Sequence, residues 1–138
     1  MTHAAYIFST SSAECPFFAR NGLSVNVTGK TSKNRSRKGT ISVEVVDPRT
    51  TSPLDTDVIV ESVAHTGRLV AVDEANPMCN MASEVISVVA LNALASLKAA
   101  PKKISAPHTP VPASPVLEKL YVPSVGQIEA AVREVMAA

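Results

Sequence analysis

The chain has 138 residues, 46% of them hydrophobic, with thirteen basic and twelve acidic side chains. Its length is enough for one buried core, and its apolar content argues against a chain that is disordered throughout. The longest nearly uncharged apolar stretch, residues 85–97, is too short to cross a membrane. The positions of Cys15 and Cys79 suggest neither a zinc site nor a disulfide framework.

The first 40 residues differ in charge from the rest. They carry six basic side chains and one acid, whereas the remainder carries seven basic and eleven acidic side chains. A segment that contains arginine, is rich in hydroxyl side chains and is poor in acids is typical of an organellar transit peptide, but also of a solvated linker or of out-of-frame translation. We predict that residues 1–40 are a disordered or artefactual head. Its basic run, residues 30–38, has no interleaved aromatic residue, so we expect no nucleic-acid partner.

From residue 41 the sequence alternates between strand and helix patterns. The β-branched run at residues 41–47, followed by Pro48, predicts a buried strand. Asp55 is a suitable N-cap for a helix that ends at Gly67, because glycine fits the left-handed position that follows a helix. Residues 68–73 are apolar almost throughout, as expected of a strand that is covered on both faces.

A long helix and a short strand come next. Asn80 or Ser83 can cap a helix that continues through Leu97, and its apolar side chains leave only a narrow polar stripe, which predicts a largely buried helix. Residues 102–106 are a shorter strand candidate.

The last part of the chain combines a proline-rich loop with a helix. Residues 107–115 contain four prolines, which exclude a helix or a central strand and favour a rigid loop. Ser124 and Gln127 fit a capping box at the start of a final amphipathic helix. The order of elements predicts an α/β fold, a three-layer α/β/α domain with a mainly parallel sheet. Three strands make a thin sheet, so we expect an edge of it to be missing.

Few polar residues could carry chemistry. Asp73 and Glu74 end a predicted strand, where open α/β sheets bind ligands, so they could bind a metal, act as a general base or only cap the next loop. His108 is surrounded by prolines, but no nucleophile or carboxylate motif accompanies it. His65 fits the last turn of a helix, and Cys79 lacks the basic neighbours that activate a thiol. We therefore consider Asp73, Glu74 and His108 a possible ligand or interface site, and we assign no catalytic, cofactor-binding or metal-binding residue.

Four stretches after residue 40 occur in an order that resembles one family. Residues 41–55 read I-S-V-E-V-V-D-P-R-T-T-S-P-L-D, and the others are residues 66–74, residues 106–112 with Leu117 and Glu118, and residues 120–124. Together they resemble the C-terminal domain of the beta chain of thiamine-diphosphate-dependent 2-oxoacid dehydrogenases, in the transketolase C-terminal domain family. Residues 76–82 are more similar to the acetoin and pyruvate dehydrogenase branches than to the branched-chain one.

The resemblance implies a role within a larger enzyme. In this family the beta chain pairs with an alpha chain in a heterotetramer that holds thiamine diphosphate and magnesium, and the C-terminal domain offers a docking surface to the lipoyl-bearing acyltransferase core. The catalytic histidine and the cofactor contacts belong to other domains, so we expect no cofactor to bind this chain alone. Scaffold roles are implied for Arg49 and Asp55, which would fix a turn, and for Pro110 and Pro112, which would stiffen a loop.

One departure from the family is large. The family domain begins with a further strand and helix before the strand at Ile41, and residues 1–40 match neither. We expect a truncated domain that is missing its first strand and helix, and that is oligomeric or aggregation-prone when alone.

Two functions follow from these observations. The first is a non-catalytic assembly and docking domain of a pyruvate or acetoin dehydrogenase beta subunit, whose parent enzyme decarboxylates a 2-oxoacid, or cleaves acetoin, and reductively acylates lipoyl groups. The alternative is an independent α/β module that binds a small ligand near Asp73, Glu74 and His108. We expect the protein in the bacterial cytoplasm, or in a mitochondrial or plastid matrix if the head is a transit peptide.

Overall fold

The computed structural model describes residues 3–9, 24–27, 41–48 and 50–138, and for residues 3–9, 24–27 and 42 it describes the backbone alone. The elements, in chain order, are β1 (His3–Ser9), β2 (Ser24–Val27), β3 (Ser42–Val46), α1 (Thr56–Thr66), β4 (Leu69–Asp73), α2 (Met81–Asn92), a 3₁₀ turn (Leu94–Ser96), β5 (Lys102–Ile104), α3 (Pro115–Tyr121) and α4 (Val125–Ala137). Within these described residues, every helix is too short or too polar to span a bilayer.

The strands form one parallel sheet in the order β2-β3-β1-β4-β5. The strand β1 lies between β3 and β4, with Ala5 opposite both Glu44 and Leu69. This parallel sheet confirms the predicted α/β class. The sheet has two more strands than we predicted, because β1 and β2 come from the segment whose composition had suggested a head outside the domain.

Helices cover both faces of this sheet, which confirms the three layers. One cluster contains α1 and α2 side chains packed on Leu69 and Ala71 of β4. The other contains α4 side chains packed on Val70 and Val72 of the same strand. Alternate residues of β4 therefore enter opposite cores, which explains why its sequence is continuously apolar. The largest fully buried side chains are Ile59, Leu69, Val43, Val63, Val70, Val85, Val89 and Val132.

Helix α4 is fixed at both of its ends. The predicted capping box is confirmed, since the Gln127 N–H donates to Ser124 Oγ at 3.4 Å and the Ser124 N–H donates to Gln127 Oε1 at 2.7 Å. At the other end, Arg68 Nε donates to the Val135 carbonyl oxygen at 3.0 Å. Arg68 directly precedes β4, so this bond joins the last turn of the helix to the sheet.

Helix α1 begins and ends as its sequence predicts. Asp55 Oδ1 accepts a hydrogen bond from the Val58 N–H at 3.3 Å, which confirms the N-cap. Gly67 follows the helix with a φ of 72°, in the left-handed region. Of the two residues expected to fix the preceding turn, Asp55 has this capping role and Arg49 lies outside the described residues.

Two boundaries differ from the predicted ones. Helix α2 begins after Asn80 but ends at Asn92 instead of Leu97, and Asn92 Nδ2 donates to the Val88 carbonyl oxygen at 2.8 Å. An asparagine that bonds to a carbonyl of its own helix competes with the helical backbone, and Ala93, with a φ of −139°, then leaves the helix. The strand β5 is also shorter than predicted.

Replacing Gly67 by alanine should lower the free energy of unfolding by about 1–2 kcal/mol, the usual cost of a left-handed residue other than glycine. A Cβ at this position would also lie 2.9 Å from Lys98 Cδ, so the lysine would have to move. The matched control is Gly126→Ala in α4, where a Cβ meets nothing within 4 Å. This substitution should leave the free energy of unfolding unchanged or raise it, because alanine favours a helix more than glycine does. Urea unfolding followed by circular dichroism measures both, and equal losses would contradict this prediction.

Candidate functional site

Asp73 lies at the carboxyl end of β4 and is only 5% exposed. Its Oδ1 accepts a hydrogen bond from the Ala75 N–H at 3.0 Å, and its Oδ2 accepts one from the Ala82 N–H at 3.4 Å. A buried carboxylate requires such partners, because removing its charge from water is costly. The two bonds join Ala75, near the start of the connection between β4 and α2, to Ala82 in the first turn of α2. We call this connection, residues 74–80, the β4–α2 loop. The structure thus gives this carboxylate a capping role, and a ligand at Asp73 stays a prediction.

Two more polar side chains fix the same loop. Asn80, the N-cap of α2, accepts at Oδ1 from the Ser83 N–H at 3.0 Å and from Ser83 Oγ at 2.8 Å. Lys103 of β5 donates from Nζ to the Pro77 carbonyl oxygen at 2.6 Å and to Ser83 Oγ at 2.9 Å. Lys103 therefore ties the middle of the loop and the start of α2 to the neighbouring strand. Sequence reasoning missed this lysine, because its proximity to Pro77 depends on the pairing of β4 with β5.

The outer surface of the β4–α2 loop is open to solvent. Met78 is 65% exposed, and Cys79 is an exposed free thiol. Asn76 Oδ1 accepts a hydrogen bond from the Met78 N–H at 3.0 Å, which makes a tight turn. Cys79 has a φ of 54°, a left-handed conformation that residues other than glycine rarely adopt. The loop thus presents an apolar side chain and a thiol to solvent, and its backbone is held by hydrogen bonds to Asp73 and Lys103.

The three candidate residues lie at the end of β4 and on two loops, and a ligand site that they share stays a prediction. Glu74 is exposed at the start of the β4–α2 loop, and His108 is exposed in the proline-rich loop that follows β5. Both loops leave the carboxyl edge of the sheet, since β4 and β5 are parallel neighbours. Across the described part of the chain, however, no hydrogen bond or ion pair joins His108 to Asp73 or Glu74.

Both oxygens of Asp73 accept hydrogen bonds from the backbone. In the ranges that the structure describes, no group of three or more His, Cys, Asp or Glu side chains could hold a metal ion. We therefore assign no cofactor contact to these residues.

A second feature is the segment from Val111 to Val122, none of whose residues is buried. It includes α3, which is tethered to the proline-rich loop by a bond from Tyr121 Oη to the Thr109 carbonyl oxygen at 3.3 Å. We call its exposed large apolar side chains the α3 surface, and they are Val111, Val116, Leu117, Leu120 and Val122. Large contiguous patches of exposed apolar side chains mark interaction sites in soluble proteins.

A family model and the curated relatives of this chain identify the same family. The family model "Transketolase, C-terminal domain" matches residues 22–128. Over 115 residues, the chain is 50% identical to the acetoin:2,6-dichlorophenolindophenol oxidoreductase subunit beta of Cupriavidus necator, covering 83% of this chain and 34% of that protein. The subunit of the same name in Bacillus subtilis is 44% identical over 115 residues, covering 83% of this chain and 33% of that protein.

A third relative belongs to another branch. The 2-oxoisovalerate dehydrogenase subunit beta of Bacillus subtilis is 36% identical over 101 residues, covering 72% of this chain and 31% of that protein. This chain thus spans about a third of the length of the curated relatives it matches. The family match begins at residue 22 and includes β2, while the predicted domain boundary between residues 40 and 41 stays a prediction.

Proposed function

Since this chain belongs to the transketolase C-terminal domain family, we propose that it is the assembly and docking domain of the beta subunit of a thiamine-diphosphate-dependent dehydrogenase. The parent enzyme decarboxylates a 2-oxoacid, or cleaves acetoin, and reductively acylates lipoyl groups. This chain is a non-catalytic part of it. Its partners are the alpha subunit and the lipoyl acyltransferase core.

The α3 surface is the observation that carries this proposal. Leu120 is 78% exposed, and Leu117 lies three residues before it on the same helix, more than half exposed. Two such side chains three residues apart lie on one face of a helix. The charged residues between them, Glu118 and Lys119, do not share this face, because residues one or two positions apart point in different directions around a helix. A partner with an apolar surface could therefore cover Leu117 and Leu120 without burying these two charges.

The identities to relatives favour acetoin as the substrate of the parent enzyme. The two acetoin oxidoreductase subunits are 50% and 44% identical to this chain, whereas the pyruvate dehydrogenase E1 component subunit beta of Bacillus subtilis is 38% identical over 99 residues. Thiamine diphosphate and magnesium would be held by parts of the parent enzyme other than the described residues, to which we assign no cofactor contact. Because the relatives are bacterial proteins, we also propose a cytoplasmic location.

The alternative, an independent module that binds a small ligand near Asp73, Glu74 and His108, has less support. Asp73 is engaged by backbone N–H groups, and the other two residues are exposed without a shared contact. A ligand of this kind would raise the melting temperature of the chain, because it would bind the folded state.

Co-expression with an alpha subunit tests the proposal. The full chain is co-expressed with the alpha subunit of the Cupriavidus necator acetoin oxidoreductase, and complexes are sized by light scattering after gel filtration. We expect co-elution at equal stoichiometry, with each protein run alone as the control. Separate elution, combined with a melting temperature that rises with magnesium or inorganic phosphate, would contradict the assembly role and support the ligand-binding module.

A further inference from the structure

The chain between β5 and α4 includes a segment that lies outside both core clusters. We call residues 107–123 the α3 segment, since they hold the proline-rich loop and α3. None of these residues is buried or belongs to either cluster. Among the described helices and strands, none makes an extended contact with α3. Tertiary packing, which supplies most of the stability of helices in proteins, therefore contributes little to this one.

The helix α3 also has little stability of its own. It has seven residues, whereas an isolated helix of fewer than about 12–15 residues is marginal in water. Its N-cap residue, Ser114, makes no side-chain capping bond, so the first N–H groups lack the acceptor that such a cap supplies. The tether from Tyr121 Oη to the Thr109 carbonyl oxygen is exposed and 3.3 Å long. A hydroxyl bond of this length and exposure holds the segment only weakly.

Both ends of the α3 segment are fixed to the folded domain. Ala106, the residue before it, is only 2% exposed. On the other side, the capping box of Ser124 and Gln127 starts α4, and α4 packs in one of the core clusters. A capping box satisfies N–H groups of the helix that it starts, so α4 does not depend on α3 for its first turn. Unfolding of α3 can therefore stop at these two boundaries.

We propose that α3 is a separate folding unit, which unfolds and refolds while the sheet and the other helices stay folded. Segments with few buried apolar contacts and exposed backbone hydrogen bonds open at a much lower free energy than the whole domain. Leu117 and Leu120 share one face only while α3 is helical. A partner that recognises this face therefore binds only as well as the helical fraction of the chains allows. The inference goes beyond the proposed function, because it holds whichever partner covers the α3 surface.

Hydrogen exchange on the full chain tests this inference. The amide hydrogens of residues 118–122 are expected to exchange within about 100-fold of the rate of the unfolded chain, since local opening costs little free energy. Low concentrations of urea should change this rate little, because local opening exposes little surface. The control is the interior of α4, residues 129–135. There we expect exchange at least about 1,000-fold slower than in the unfolded chain, as the stability of a whole domain implies, and an acceleration by urea.

A pair of substitutions at one exposed site separates local from global unfolding. Val116 of α3 is 72% exposed, so neither Val116→Ala nor Val116→Gly disturbs the core. Glycine disfavours a helix relative to alanine by a factor of about five. We expect faster exchange of residues 118–122 in the glycine variant, whereas both variants should have the same midpoint of urea unfolding. The matched control is Ala130→Gly at an exposed position of α4, which should lower the folding equilibrium constant of the whole chain about fivefold.

The outcomes decide between local and global unfolding of α3. If residues 118–122 exchange as slowly as the interior of α4, α3 unfolds with the core and the inference is wrong. The same holds if the glycine variant of Val116 is less stable than its alanine variant by as much as Ala130→Gly destabilises the unsubstituted chain. Fast exchange that urea hardly changes, together with equal unfolding midpoints of the two Val116 variants, supports the inference. Neither measurement involves a partner, so failure of the assembly role would leave this inference standing.

Discussion

Replacing Leu117 and Leu120 together by glutamate is expected to weaken binding of the alpha subunit by about 100-fold or more, which corresponds to about 2.7 kcal/mol. Two apolar contacts in the centre of an interface can account for this loss, and the two charges would also have to be desolvated on binding. The folded chain should tolerate both changes, because the side chains are 53% and 78% exposed and α3 contains no buried residue.

Two measurements define this result. Titration calorimetry with the alpha subunit gives the affinity, and urea unfolding of the variant gives its stability, which should change by no more than about 0.5 kcal/mol, as is usual for surface substitutions. Leu91→Glu, at a residue of α2 that is 81% exposed, serves as the exposed apolar control. Unchanged affinity in the double variant would show that α3 lies outside the interface. A large loss of stability would mean that α3 supports the fold instead.

Replacing Asp73 by alanine is expected to lower the free energy of unfolding by about 2–3 kcal/mol, since hydrogen bonds to a charged group are worth more than neutral ones. The variant would leave the N–H groups of Ala75 and Ala82 without their acceptor. It would also remove the bond that closes the β4–α2 loop. Asp73→Asn, which keeps the shape and one acceptor oxygen, should lose less.

The control for this prediction is Glu74→Ala, the adjacent acid, which is exposed and should change the stability by no more than about 0.5 kcal/mol. Urea unfolding followed by circular dichroism compares the three variants. If Asp73→Ala were as stable as Glu74→Ala, the carboxylate would contribute nothing to the fold. A role in ligand binding would then be the better explanation for a buried acid at the end of a strand.

Sequence reasoning succeeded where the determinant of structure was local. Asp55, Gly67 and the pair Ser124 and Gln127 begin or end helices as predicted, because each cap depends on residues within a few positions of it. Helix α3 was not predicted. The prolines around it indicated a rigid loop, although a proline is well tolerated in the first turn of a helix, where Pro115 stands.

What sequence reasoning missed depends on long-range pairing. The place of β1 between β3 and β4 cannot be read from its composition, since parallel neighbours need not be adjacent in the chain. The same holds for Lys103, whose two bonds reach residues that are 20 and 26 positions away. The rule that ligands bind at the carboxyl ends of strands directed attention to Asp73 at the end of β4. It did not reveal that Asp73 is already engaged by the backbone.

The bond between Arg68 and the Val135 carbonyl oxygen couples the last turn of α4 to the start of β4. The last carbonyl groups of a helix normally lack partners, and a terminal turn normally frays. Here the guanidinium of Arg68, next to β4, donates a hydrogen bond to one of those carbonyl oxygens. The amide hydrogens of the last turn of α4 should therefore exchange with solvent more slowly than those of a frayed terminal turn. The end of the chain is thus stabilised by the sheet on which its helix packs.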